Sequence, residues 1–134
     1  MSNATTTPKE IEVQSFDEYQ AIKDAILPYI EGSRDANGKL AITAFYDHAH
    51  IVGTIGGKLE NADTTAFAEA ISGLPKSPTL EHNFAMIDIS GPAATVKLEF
   101  KNYAGFRFTD YLVMFKHEGK WKISGKTYNS HSNN

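Results

Sequence analysis

There is no cysteine anywhere in the 134 residues. That excludes disulfides, thiolate nucleophiles and every cysteine-ligated zinc or iron–sulfur site. Basic charge is also scarce. Thirteen Lys and Arg stand against sixteen Asp and Glu, for a net charge of -3, so no basic face is expected for nucleic acid. Long apolar runs are missing too. None approaches the roughly 18–20 residues of a membrane span, and the polar start "MSNATTTPKE" lacks the apolar middle of a signal peptide. A cytoplasmic protein without a membrane partner is the expectation. The glycine-rich "GTIGGK" lacks the G-x-G-x-x-G and G-x-x-x-x-G-K-[ST] spacings of nucleotide loops, so it reads as a flexible turn. No other motif asks for a cofactor, and none is expected.

The balance of 41% hydrophobic to 22% charged residues is that of an ordinary globular chain, and the length fits one domain with one sizeable core. Residues 1–14 read as a disordered arm, 15–129 as the domain and 130–134 as a polar tail. "SFDEYQAIKDAILPYIEG" predicts a helix with Ser15 as N-cap, Asp17 and Glu18 in the first turn, and a helix-spaced stripe through Phe16, Tyr19, Ile22, Ile26 and Ile30. Pro28 inside it should kink or loosen the preceding turn. "KLAITAFY" predicts a short second helix. "AHIVGTIGG" reads as a strand. "NADTTAFAEAISGLP" reads as a third helix, capped by Asp63 or Thr64 and stopped by Gly73 and Pro75. From Leu80 onward the pattern is strand only, closing in a hairpin around "HEGK". This order predicts an α+β fold: about three helices in the concavity of a curved, mainly antiparallel sheet of four to six strands.

The kinked first helix leading to "YIEG", the short helix leading to "AFYDHAHIVG", and the closing "DYLVMFKHEGKWKI" together resemble the nuclear-transport-factor-2-like cone fold. The branch they most resemble is the one called putative lumazine-binding or SnoaL-like, over about residues 15–128. That scaffold hosts isomerases, cyclases, dehydratases, binding proteins and dimerisation modules. In its ketosteroid-isomerase-like members, a helical tyrosine and a protonated acid form an oxyanion hole while an aspartate moves the proton. Laid on that pattern, Tyr29 falls on the oxyanion tyrosine, Gly53 on the general base, and Tyr111 on the second acid, with Asp110 one place off. Glycine cannot take a proton, so the resemblance implies no isomerase chemistry in its usual form.

What the resemblance implies is a small-molecule site for an apolar, carbonyl- or ring-bearing ligand, lined by Tyr29, Phe45, Phe67, Met86, Phe108 and Tyr111. The alternatives are a non-catalytic homodimerisation module whose cone is filled by its own side chains, and an enzyme with a non-standard base. Alternation sends Ala49, Ile51 and Gly53 inward and His48 and His50 outward, and no third metal ligand follows. In "EHNFAMIDIS", Asn83, Ala85, Ile87 and Ile89 form the more apolar parity, against His82, Phe84, Met86 and Asp88. Asp88 is a candidate inward carboxylate only on the second. In "DYLVMF" both parities are apolar, as in a strand buried on both faces. The expectation is Tyr111, Val113 and Phe115 toward the cone and Leu112 toward a partner, in a homodimer through the convex sheet face. Trp121 and Ile123 alternate with Lys122, Ser124 and Lys126, which reads as a solvated edge. A bulge at "SGK", permitted by Gly125, would instead turn Lys126 or Tyr128 to the cone mouth, where a lysine attracts an anionic ligand. Glu60 and Asp63 read as surface charge and cap.

Overall fold

The buried stripe of the first helix, Ile22, Ile26, Tyr29 and Ile30, recurs every three or four residues and fixes which side of the helix meets the sheet. A computed structural model of the chain describes residues 8–133. In it α1 spans Pro8–Arg34. The helix therefore begins before Ser15, which lies within it and is not its cap. Proline suits the first turn because its φ is already helical and its missing N–H has no partner there anyway. Residues 8–14 of the expected arm are helical, and residues 1–7 lie outside the described residues. The helix continues through Pro28 to Arg34.

Helix α2 (Gly38–Ala41) leads through a 3₁₀ turn (Ile42–Ala44) directly into β1 (Phe45–Ile55). At its start the Asn37 side chain accepts a hydrogen bond from Leu40 N. Strand β2 (Lys58–Ala62) then pairs antiparallel with β1. The sequence reading missed this strand. Gly56 and Gly57 both take positive φ, the two-residue turn that reverses a ribbon tightly, so "GTIGGK" is a hairpin and not a loose passage. Helix α3 (Thr64–Ser72) is capped by Asp63, whose side chain accepts from Ala66 N, and ends at Gly73.

Four long strands complete the chain: β3 (Glu81–Ser90), β4 (Ala93–Tyr103), β5 (Phe106–His117) and β6 (Lys120–Asn133). The last runs through most of the expected tail. The sheet order is β2-β1-β6-β5-β4-β3. Only the β1–β6 pairing is parallel. The result is a curved, open six-stranded sheet with the helices in its concavity, the α+β cone the element order predicts. Among the described residues no helix is long and apolar enough to cross a membrane.

Two expected strand parities are overturned. On β5 the inward residues are Asp110, Leu112 and Met114, all buried, while Tyr111, Val113 and Phe115 face outward. Tyr111 is 47% exposed. Leu112 is thus core and not a partner contact. On β3 the pairing shifts between Phe84 and Met86. The extra residue brings Phe84 into phase with Ile87 and Ile89, and all three pack on the core. Met86 is left 41% exposed on the outside, as is Asp88.

Candidate functional site

One row of residues crosses the sheet. Glu60 on β2 pairs with Gly53 on β1, Gly53 with Tyr128 on β6, Tyr128 with Asp110 on β5, and Asp110 with Leu98 on β4. Gly53 is the gap in this row. A Cβ there would lie 2.5 Å from the Tyr128 ring, closer than any packed carbon tolerates. The ring crosses the bare backbone, and the Tyr128 hydroxyl donates to Glu60 Oε1 at 2.6 Å. The position that the resemblance gives to a general base is therefore filled by a neighbour's phenol.

Tyr128 and Lys126 face inward because β6 contains a bulge. Val113 pairs with Gly125 and Met114 with Ile123, which leaves Ser124 without a partner across the ladder. Before the bulge Trp121 and Ile123 are buried. After it the alternation is shifted by one, and Lys126 and Tyr128 are buried instead. The lysine does not join a solvated edge.

At the cone floor these residues meet the first helix. Lys126 Nζ donates to the Tyr29 hydroxyl at 2.6 Å, and the Tyr29 hydroxyl donates to Asp110 Oδ2 at 2.6 Å. Lys126 Nζ lies 3.8 Å from Asp110 Oδ2, so the phenol bridges cation and carboxylate. All three are almost wholly shielded from water. Tyr29 is held edge-on by Phe45 and Phe100, with ring centroids 5.4 and 5.7 Å away. The ammonium lies 4.3 Å from the Phe67 ring centroid and 4.8 Å from that of Tyr128, within cation–π range.

Burial disfavours charge on each group. It lifts the Asp110 carboxyl above its usual range, opposed by Lys126 and the Tyr29 hydrogen bond. It lowers the Lys126 ammonium, opposed by Asp110 and Glu60. It raises the Tyr29 phenol, helped by the Asp110 charge. Tyr103, on the same wall, is pushed up to about 12 by burial. The phenol's one proton is given to Asp110, so the N–H groups of Lys126 beyond the one given to Tyr29 are the donors that remain for a ligand.

Tyr29, Asp110, Lys126 and Tyr128 border a cavity of about 50 Å³, walled also by Glu60, Phe67, Ile71, Leu74, Tyr103 and Phe108. One water needs about 10–15 Å³ of such space, so the cavity holds a few waters or one small organic molecule. Of the residues named from sequence, Tyr29, Phe67, Phe108 and Lys126 line it. Phe45 lies behind Tyr29 in the core, and Met86 and Tyr111 are on the opposite face of the sheet. Asp110, one place off the position that counting gave to Tyr111, is the residue of the two that faces inward and lines the cavity. Glu60, read as surface charge, takes the Tyr128 hydroxyl and borders the cavity. The available signal for Asp110 was its standing as the lone charged residue among apolar neighbours of its parity. A larger, open concavity of about 420 Å³ runs past His82, Arg107 and His131; it shares Phe108 with the small cavity but is not lined by Tyr29, Asp110 or Lys126. His48 and His50 are exposed on the outer face, and His50 bonds Asn61. Among the described residues no three His, Asp or Glu side chains gather to hold a metal.

This cone is the fold of the nuclear-transport-factor-2-like proteins. Within it, the chain belongs to the family described as putative lumazine-binding, whose profile matches residues 17–129. A structure from Shewanella baltica OS155, described as an NTF2-like protein of unknown function, is 31% identical with a TM-score of 0.82, covering 96% of this chain and all of that one. Another so described, from Methylobacillus flagellatus KT, is 25% identical with a TM-score of 0.82, covering 87% and 94%. The aldolase FrzH of a Cladobotryum species is 25% identical over 115 residues, 85% of this chain and 92% of that protein.

Proposed function

We propose that the chain binds a small, neutral, carbonyl-bearing molecule on the cone floor. The observation that carries this reading is the buried Lys126–Tyr29–Asp110 chain opening on a cavity. Three ionisable groups taken out of water cost stability unless they are fully paired. Here they are joined through the Tyr29 hydroxyl and also border space, the pattern of a site more than of a purely structural ion pair. Lys126, and the Tyr29 hydroxyl on turning from Asp110, supply donors for a carbonyl oxygen, and Phe67, Phe108 and Ile71 supply the apolar wall. Asp110 and Glu60 offset the lysine, so a neutral ligand suits the site better than the anionic one that Lys126 alone suggests. The cavity also favours a small carbonyl compound over a ring system, which needs several times this space. Similarity to a protein called an aldolase supports the carbonyl class. The test is a two-dimensional NMR titration with acetone and acetamide. Signals of Phe67, Lys126 and Tyr128 should move, and Tyr29→Phe should bind about tenfold more weakly, the worth of one hydrogen bond of about 1.4 kcal/mol. Equal affinity in the two proteins would remove Tyr29 from the site.

A second reading concerns assembly and rests on a separate observation. Met86, Tyr111, Val113 and Phe115 are large apolar side chains exposed together on the outer sheet face. Tyr111 lies two positions along the strand from Val113, and Met86 is two strands away in the same row, through Lys97. A second copy packed sheet to sheet would cover them. Light scattering at tens of micromolar should give a dimer, and Val113→Lys a monomer with unchanged circular dichroism. A monomeric parent protein would end this reading.

A further inference from the structure

We propose that Lys126 is an amine nucleophile that forms a Schiff base with a small aldehyde in the cavity it borders. The inference rests on the carbonyl reading above and goes beyond it, from reversible contact to a covalent bond. Lys126 is the lysine that the fold buries; the other lysines whose side chains are described are exposed or half-buried. Its amine borders the cavity beside Tyr29, Phe67 and Tyr128, and its burial favours a neutral nitrogen with a free lone pair. A pair built only to cancel charge would close to about 2.7–2.9 Å. Lys126 Nζ and Asp110 Oδ2 instead stand 3.8 Å apart, with the Tyr29 hydroxyl hydrogen-bonded to both.

That hydroxyl is a relay. A proton leaving Lys126 passes to the Tyr29 oxygen as the phenolic proton passes to Asp110 Oδ2. The result is a neutral amine, an intact phenol and a protonated carboxyl, the state that burial favours at both ends. The lone pair on Nζ then attacks the aldehyde carbon. The C–N bond forms, the carbonyl π pair moves to oxygen, and that oxygen takes the proton back from Asp110 through Tyr29. The nitrogen of the carbinolamine still carries two protons; one leaves with the departing hydroxyl as water, and the product is the protonated imine. Lysine ammonium and aldehyde give protonated imine and water, with no oxidant or further reactant. The imine cation faces the carboxylate that Asp110 has regained. The rings of Phe67 and Tyr128 both line the cavity beside the amine, with centroids 4.3 and 4.8 Å from it, and bound the space the aldehyde would enter.

The test uses the full chain with limiting propanal and sodium cyanoborohydride near neutral pH, followed by peptide mapping over time. The reductant fixes any imine as a propylamine. Lys126 should be labelled about tenfold or more faster than the mean of the other lysines, because each unit of lowered ammonium pKa raises the free-amine fraction about tenfold. Lys126→Met should lose the fast phase and keep the slow one. Tyr29→Phe, which retains the lysine and breaks the relay, should slow labelling at Lys126 and nowhere else; this variant decides the matter if Lys126→Met does not fold. Labelling of Lys126 at the surface rate overturns the proposal. If propanal moves the cavity's NMR signals without labelling Lys126, the covalent step is wrong and carbonyl binding stands. If it does neither, both fall.

Discussion

Asp110 and Lys126 sit at the same depth on adjacent strands, yet they should not be equally dispensable. Asp110→Ala strips the acceptor from Tyr29 and leaves the lysine without its counter-charge. A buried donor and a buried cation left unpaired together cost about 2–5 kcal/mol. Lys126→Met replaces the amine with an apolar chain of similar reach, while Asp110 keeps the Tyr29 hydrogen bond and loses the cation that opposes the upward shift of its carboxyl. That change should stay within about 1 kcal/mol of the parent, on either side. Urea unfolding of the two variants ranks them, and equal losses would show that the cluster is not organised around Asp110. Tyr29 was legible from its place in the first helix. Asp110 was in view but assigned one residue away, because counting from Gly119 cannot say which face of β5 is buried.

Bulges decide this site, and bulges are what alternation conceals. On β5 both parities are apolar, so the pattern leaves the phase open. On β6 the phase changes at Ser124, and Gly125 signalled only that a bulge was permitted. On β3 neither uniform parity is correct, because Phe84 and Ile87 share a side only through the extra residue between them. Helix ends and hairpin turns were easier to read, since their chemistry is local: Asp63 caps α3, and Glu118 and Gly119 take the positive φ of the β5–β6 turn. The β1–β6 element pair makes a sharper prediction. Gly53→Ala puts a methyl group into the Tyr128 ring and should cost about 1–3 kcal/mol, an overpacking penalty. In a Tyr128→Ala background the same change should cost little, giving a coupling above about 1 kcal/mol in a double-mutant cycle. Additive losses would mean that Gly53 is required by the backbone and not by the ring.

At the scale of the whole molecule, the buried phenols tie stability to alkaline pH. Burial raises Tyr29, Tyr103 and Tyr128 above their ordinary value, with Glu60 adding to the effect on Tyr128. Above about pH 10 the unfolded chain releases phenolic protons that the folded chain retains. Their stabilisation is therefore complete below about pH 10 and is lost as pH climbs toward the folded values. For Tyr103 the window runs from 10.0 to about 12, a loss of about 2–3 kcal/mol across it. Urea unfolding at about pH 9 and about pH 12 should show the decline, and Tyr103→Phe should remove its share; an unchanged slope would show that Tyr103 is not the cause. The cone as a whole was the most legible level. Helix, helix, strand, helix and a run of strands leave few ways to bury every apolar face.

The parallel pairing of β1 with β6 has a kinetic consequence. It joins Phe45 to Ile123, across most of the chain, whereas each remaining pairing in the sheet is a neighbouring hairpin that can zip up locally. The β1–β2 ribbon and the β3–β4–β5 meander can each form early, but they become one sheet only when β6 closes the long loop between them. Docking β6 is also what brings Lys126 to Tyr29 and Asp110 and strips water from all three. The slowest step in topology is thus the step that desolvates the cluster, and the site comes into existence only with the last act of folding.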